Sequence, residues 1–382
     1  MFESDLKPVT LNQQALNDLA VGCAFLGSGG GGDPHYALLE LSILIEKKGP
    51  DFHIDLIPAS KLSDKDLVAP CGWLGAPTVS LEKLPSGTEA LAGLEMLEEI
   101  MGREVNAVFP VEIGGSNGLA PLILAVKTGL PVVDCDGMGR AFPESQMVIF
   151  NVHGVSASPA VLTDAKGNSF VIGAVDNITE ERVARAAAVS LGGICHLFEY
   201  VQSGKQVKDH AIHGTLSIAV EIGRSIREAK EKGADPFEAL LDVMRSFPHY
   251  GAAGILFDGK IMDVKRETKQ GFSVGHLLIE DFAGKNQMEI EFQNENLIAR
   301  VGDKIYATVP DIISVMDRET AHTITTEQIK YGQRVKVVGV SAPSVLRTPE
   351  ALEIMGPKAF GMSDRYRSIE ALNGWKGSND AQ

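Results

Sequence analysis

Cysteine is scarce in this chain: four among 382 residues, at positions 23, 71, 135 and 195, with no CxxC pair. That spacing excludes a zinc ribbon or a dithiol redox centre and argues against a disulfide framework. Cations are also in the minority, 35 Lys plus Arg against 50 Asp plus Glu, for a net charge of −15. Nucleic acid and an anionic membrane are therefore excluded as main partners, since both need a basic face. Every apolar run is broken by glycine or charge well short of the ~18 residues that a membrane span requires. The opening MFESDLKPVTLN has no apolar centre, unlike a secretory signal. These absences predict a cytoplasmic protein acting on a small molecule, and leave assembly into a homo-oligomer open.

Glycine, by contrast, is abundant, with 40 residues clustered between periodic segments as expected of tight turns. The length has room for two domains at ~150 residues each. Thr10-Leu11-Asn12-Gln13 resembles a capping box, and Leu16, Leu19, Ala20 and Cys23 follow at helical spacing up to Gly27. After the loop Gly27-Ser28-Gly29-Gly30-Gly31-Gly32, Asp33 and Pro34 open a second helix that ends at Lys47-Lys48-Gly49. Residues 52–56 alternate as a strand, and 86–101 read as a helix.

The clearest unit is strand 105–111, helix 117–128 and strand 130–134, a βαβ crossover that makes the two strands parallel neighbours. Residues 175–247 read as mainly helical, with Thr179 capping one helix and Asp235-Pro236 opening another. From Gly251 to Val340 the pattern is one of short alternating strands. The predicted fold is thus an α/β N-terminal domain with parallel strands (1–165) and a helical and β-rich C-terminal domain (166–365). A polar tail (366–382) is expected to be disordered.

Ligands of parallel sheets bind beyond the carboxyl ends of the strands. Glu112 stands at the end of the first strand of the crossover, and Asp134 and Asp136 at the end of the second, with Arg140 following. Crowded carboxylates raise one another's pKa, as a general acid or base requires, or they bind a cation. Glu112, Asp134, Asp136 and Arg140 are the catalytic candidates. The alternative is that the two aspartates cap turns while Arg140 pairs with one of them.

The glycine loop follows a helix and lacks both GxGxxG and GxxxxGK[ST], so no nucleotide is expected. Its backbone N–H groups make either a nest for a ligand or a plain hinge. Ser28, Gly30, Gly31 and Asp33 are substrate-binding candidates there. Glu82, Asn117, Glu144, Asn294 and Glu295 are the others, drawn from a loop beside Gly75-Ala76-Pro77-Thr78-Val79, from the strand-end motifs and from Gln293-Asn294-Glu295-Asn296. No HxH or HExxH is present, and neither Ser28 nor Ser116 has the surroundings of a hydrolase nucleophile.

Taken together, GSGGGGDPH, GAPTVSLEK, PVEIGGSNG, DCDGMGRAFPE, GFSVGHL, FQNENL, ATVPDIISV and YGQRVKVVG resemble the S-methyl thiohydantoin desulfurase family, over residues 10 to 362. The resemblance implies hydrolysis of an S-methyl thiohydantoin to a hydantoin and methanethiol. Its members are often found beside hydantoinase/oxoprolinase-type proteins, so a non-catalytic, ligand-binding partner subunit is the alternative. Cys135 and His213 stand where that pattern usually has alanine and proline. One divalent metal ion, zinc first, is expected to assist the water, without a diagnostic ligand motif.

Overall fold

The computed structural model describes residues 9–49, 51–76, 79, 82–269 and 271–376. Pro77, Thr78 and residues 377–382 lie outside them; of the tail 366–382 expected to be disordered, the described part is ordered instead, with Ser368 capping the short helix Ile369–Asn373 and Ile369 fully buried. Within the described residues the chain forms an α/β N-terminal domain and a second domain of helices and a curled antiparallel sheet.

The larger sheet has the spatial order Thr10–Leu11, Ile54–Ile57, Val132–Val133, Ala107–Pro110, Leu67–Gly75, Ile194–Phe198, Ala160–Thr163 and Ser169–Ile172, with Gln202–Ser203 paired onto Leu67–Gly75. Ile54–Ile57, Val132–Val133, Ala107–Pro110 and Leu67–Gly75 run parallel, and the rest pair antiparallel. Every residue of Ala107–Pro110 is buried, as expected of a strand covered on both faces. The crossover forms as the sequence predicts, through the helix Ala120–Thr128, with Val108 opposite Val132.

The first helix, Gln13–Leu26, starts at Asn12, whose side chain accepts from the Ala15 N–H at 2.9 Å. It crosses the helix Thr215–Glu231 at very short range, because an added Cβ at Gly22 would strike the Ala219 carbonyl and one at Gly223 the Asp18 carbonyl. Asp18 and Arg227 lock this crossing with two bonds of 2.9 Å.

Two expectations are corrected. The helix Asn177–Ser190 is capped by Asp176, which accepts from the Thr179 N–H at 2.7 Å, rather than by Thr179; the acid three residues upstream is the better acceptor. The region 175–247 is also not uninterruptedly helical. Gly192 and Gly193, both at φ 91°, end that helix, and Ile194–Phe198 enters the larger sheet. Residue 165 lies in the turn between Ala160–Thr163 and Ser169–Ile172, so this sheet continues across it to Ser203.

The second sheet has seven strands in the order Lys304–Thr308, Glu295–Val301, Gln287–Gln293, Phe272–Asp281, Ala253–Lys269, Arg334–Val340 and Ile312–Asp317, all antiparallel. They are not all short. Ala253–Lys269 spans 17 residues and bends through register shifts after Ile255 and Ile261. No helix among the described residues is long and apolar enough to cross a membrane.

Asp134 and Asp136 are built into this framework. The Asp134 carboxylate accepts from the Leu216 N–H (2.9 Å), the Ser217 N–H (3.1 Å) and the Ser217 hydroxyl, capping Thr215–Glu231. His213 and Cys135 face each other across the pairing of Ile212–His213 with Cys135–Asp136. Asp134→Ala is expected to lower stability by about 1–2 kcal/mol, the scale of a lost helix cap. Urea unfolding checks this, and an unchanged midpoint would count against the capping role.

Candidate functional site

After Leu26 the chain turns through left-handed backbone at Ser28 (φ 52°), Gly29, Gly31 and Gly32. This loop joins three segments. The Ser28 hydroxyl donates to the Ile313 carbonyl (3.1 Å) and accepts from the Ile313 N–H (3.0 Å). The carbonyls of Ser28 and Gly29 accept from the N–H groups of Asn296 and Thr326, each at 2.8 Å. On the other side, the Gly31 carbonyl accepts from the Ser116 N–H at 2.9 Å. Gly30 has to lack a side chain because its Cβ would collide with the Glu295 carboxyl.

Against this junction lies a narrow cleft of about 150 Å³, lined from both domains. Gly31, Gly32 and Asp33 come from the loop, Glu112 and Asn117 from the first strand-end motif, and Asn294 and Glu295 from the turn between two strands of the second sheet. Trp73, Phe142 and Leu197 supply apolar wall.

Glu112 is 5% exposed. Its Oε1 accepts from Asn117 Nδ2 at 2.5 Å and its Oε2 from the Phe142 N–H at 3.1 Å. Asn117 is itself fixed, since its Oδ1 accepts from the Trp73 N–H at 2.6 Å. Burial pushes the Glu112 carboxyl up to about 7, with the charge of Asp136 adding to the rise and the bonds from Asn117 and Phe142 opposing it. Glu295 is 2% exposed, and its Oε2 has no hydrogen-bond partner among the described residues. Burial, reinforced by the Glu112 charge, holds its carboxyl well above the usual range, while Arg140 pulls the other way.

Arg140 stands behind the cleft, fully buried. Its guanidinium donates to the carbonyls of Ala141 (2.9 Å), Pro310 (3.1 Å), Asp311 (2.8 Å) and Asn296 (3.3 Å), and its charge faces Glu295, Asp311 and Glu112. Burial brings its pKa down to about 10, so it stays a cation at neutral pH.

Of the residues that the sequence singled out, Gly31, Asp33, Glu112, Asn117, Asn294 and Glu295 line the cleft. Asp33 is braced there by the His35 N–H (2.9 Å) and Gln328 Nε2 (2.7 Å). Asp134, Asp136, Arg140, Ser28, Gly30, Glu82 and Glu144 are not among the lining residues. Asp136 is folded under its own turn, where Oδ2 accepts from the N–H groups of Ile113 (2.9 Å), Met138 (3.0 Å) and Gly139 (2.8 Å). Glu144 accepts from Gln146 Nε2 at 2.5 Å, and Glu82 is exposed. The expected rim of three carboxylates thus reaches the cleft only through Glu112, and Glu295 joins it there from the other domain.

The sequence reading missed the far end of the cleft, where Ser145, Arg185 and Glu199 lie. The Ser145 N–H donates to Glu181 Oε2 (3.0 Å), and Arg185 pairs with Glu181 at 2.6 Å. Burial and the neighbouring Glu180 hold Glu199 well above its usual range. Glu181 and Arg185 read as an ordinary i,i+4 surface pair, and Glu199 carries no motif. No His or Cys among the described residues lines the cleft, and no group of three or more His, Cys, Asp or Glu there is placed to hold a metal ion. The zinc expectation therefore finds no nitrogen or sulfur donor set at this cleft.

Comparison with known proteins agrees with the fold. No curated protein matches the chain. A protein from Chromobacterium violaceum, solved by X-ray crystallography, superposes with a TM-score of 0.79 at 25% identity, covering 94% of this chain and 100% of that one. Residues 14–174 match the model of the S-Me-THD-like N-terminal domain, and 175–369 that of the S-Me-THD-like C-terminal domain. The chain therefore belongs to the S-methyl thiohydantoin desulfurase-like (S-Me-THD-like) family.

Proposed function

We propose that the cleft hydrolyses a small cyclic amidine or amide, with an S-methyl thiohydantoin as first-choice substrate and hydantoin plus methanethiol as products. One observation carries this reading. Two buried carboxyls, Glu112 and Glu295, line one small cleft from different domains, the first pushed up to about 7 and the second held well above the usual carboxylate range.

Such a pair supplies a base and an acid at the same pH. Glu112, poised near 7 and oriented by Asn117, takes a proton from water as the oxygen bonds to the ring carbon that bears sulfur. Glu295, still protonated, gives its proton to the ring nitrogen. In the second half the C–S bond breaks, the proton held by Glu112 passes to the leaving sulfur, and the hydroxyl proton returns to Glu295. Water's oxygen ends as the new carbonyl and its two hydrogens end on nitrogen and sulfur, with both glutamates reset. The dry, apolar wall strengthens each of these interactions.

Glu112→Gln and Glu295→Gln are each expected to cut thiol release by about 10²–10⁴-fold, the usual worth of a positioned acid or base. Both replacements keep the side-chain shape, and circular dichroism checks the fold. Undiminished release in Glu112→Gln would sink the assignment of the base, and no release from the folded parent would move the partner-subunit role ahead.

The rate should also follow a bell in pH. It rises through about 7 as Glu112 loses its proton and becomes a base, and falls at higher pH as Glu295 loses the proton that it must donate. A kcat/KM profile flat across the acidic limb would contradict this.

A further inference from the structure

A second cavity, of about 310 Å³, lies in the second domain and shares no lining residue with the cleft. It sits between the edge strand Lys304–Thr308 and residues 365–372. Three cations line it, Lys304, Arg365 and Arg367, against one acid, Asp303. All three cations are exposed, and among the described residues none has a carboxylate partner. Several other arginines of this acidic chain are paired, as Arg185 is with Glu181, Arg227 with Asp18 and Arg347 with Glu370. Lys304 Nζ lies only over the Tyr306 ring, 4.3 Å from its centre.

The wall of the cavity adds a separate signal. Thr308 is 1% exposed, and its hydroxyl has no hydrogen-bond partner among the described residues. Exposed cations are content in water, whereas a buried hydroxyl without a partner is costly. A single group that accepts from the hydroxyl and from two guanidinium forks answers both features, and that is the chemistry of a phosphate-type oxyanion.

We propose that this cavity binds a phosphate-type oxyanion, held by Arg365, Arg367 and Lys304 with the Thr308 hydroxyl donating to it. The position has a structural consequence. Tyr366, between the two arginines, donates to Asp311 at 3.1 Å, and the Ile369 N–H donates to the same carboxylate at 2.9 Å. An anion bound here fastens the edge strand to the segment that closes over Asp311, so binding should register as stability.

The test uses the full chain and three probes at equal ionic strength: sodium chloride, inorganic phosphate and glycerol phosphate. Calorimetric titration and the thermal midpoint are read for each. Phosphate or the phosphomonoester should bind and raise the midpoint where chloride does not. Whichever of the two binds tighter identifies the source of the oxyanion. The Arg365→Ala/Arg367→Ala double variant should weaken binding by about tenfold or more, since it removes two charge-assisted donors. Thr308→Val should weaken it without changing the charge. An equal response to chloride, or unaltered phosphate binding in the double variant, overturns the proposal.

Discussion

One buried cation organises this molecule. Arg140 has no exposure, so its charge is tolerable only if its nitrogens find acceptors and carboxyls stand nearby. The chain meets that demand with carbonyls from both domains: Ala141 on its own side, and Asn296, Pro310 and Asp311 on the other. Removing one such partner typically costs several kcal/mol, because a buried charge is left uncompensated. The relative placement of the two sheets is therefore fixed at Arg140, and the cleft opens beside that fixed point.

The same joint sets the chemistry of the cleft. Glu112 and Glu295 flank one shared positive charge, yet burial outweighs it, raising Glu112 to about 7 and holding Glu295 well above the usual carboxylate range. A weaker joint would open both carboxyls to bulk solvent and return them toward ordinary acids. The glycine loop belongs to this arrangement, since its bare backbone lets the Glu295 carboxyl approach Gly30 while Ser28 ties the loop to Ile313. Loop, strand-end motif and QNEN turn are distant in sequence and form one unit in space.

The sequence made local structure legible wherever the deciding physics is local. The lysines and glycine ending the second helix and the crossover around Ala120–Thr128 follow from dipole and periodicity, whereas the capping box read over Thr10–Gln13 does not form: Thr10–Leu11 pairs as a strand and Asn12 caps the helix. Glu112, Asn117 and Glu295 were visible as acids and amides in glycine-rich turns. Which carboxylates share a cleft was not visible, because Asp134 and Asp136 sit at the same strand end as Glu112 and differ only in where the chain turns afterward. One turns toward the helix start at Leu216, and the other folds back under its own backbone. Glu199 had no local signature, and Asp311, though it lies in ATVPDIISV, gave no sign that its carboxylate would hold Tyr366 and Ile369, because both arrangements arise from long-range packing. The facing of Cys135 by His213 is of the same kind, two residues far apart in sequence that form one cross-strand pair.

The most direct test of the central claim is a crystal structure of the protein with hydantoin, the expected product, bound. The account predicts the ring between Glu112 and Glu295, with Asn117 still holding the first carboxylate and Arg140 unmoved behind both. A ring seated at the Ser145–Glu199 end, out of reach of Glu112, would contradict it.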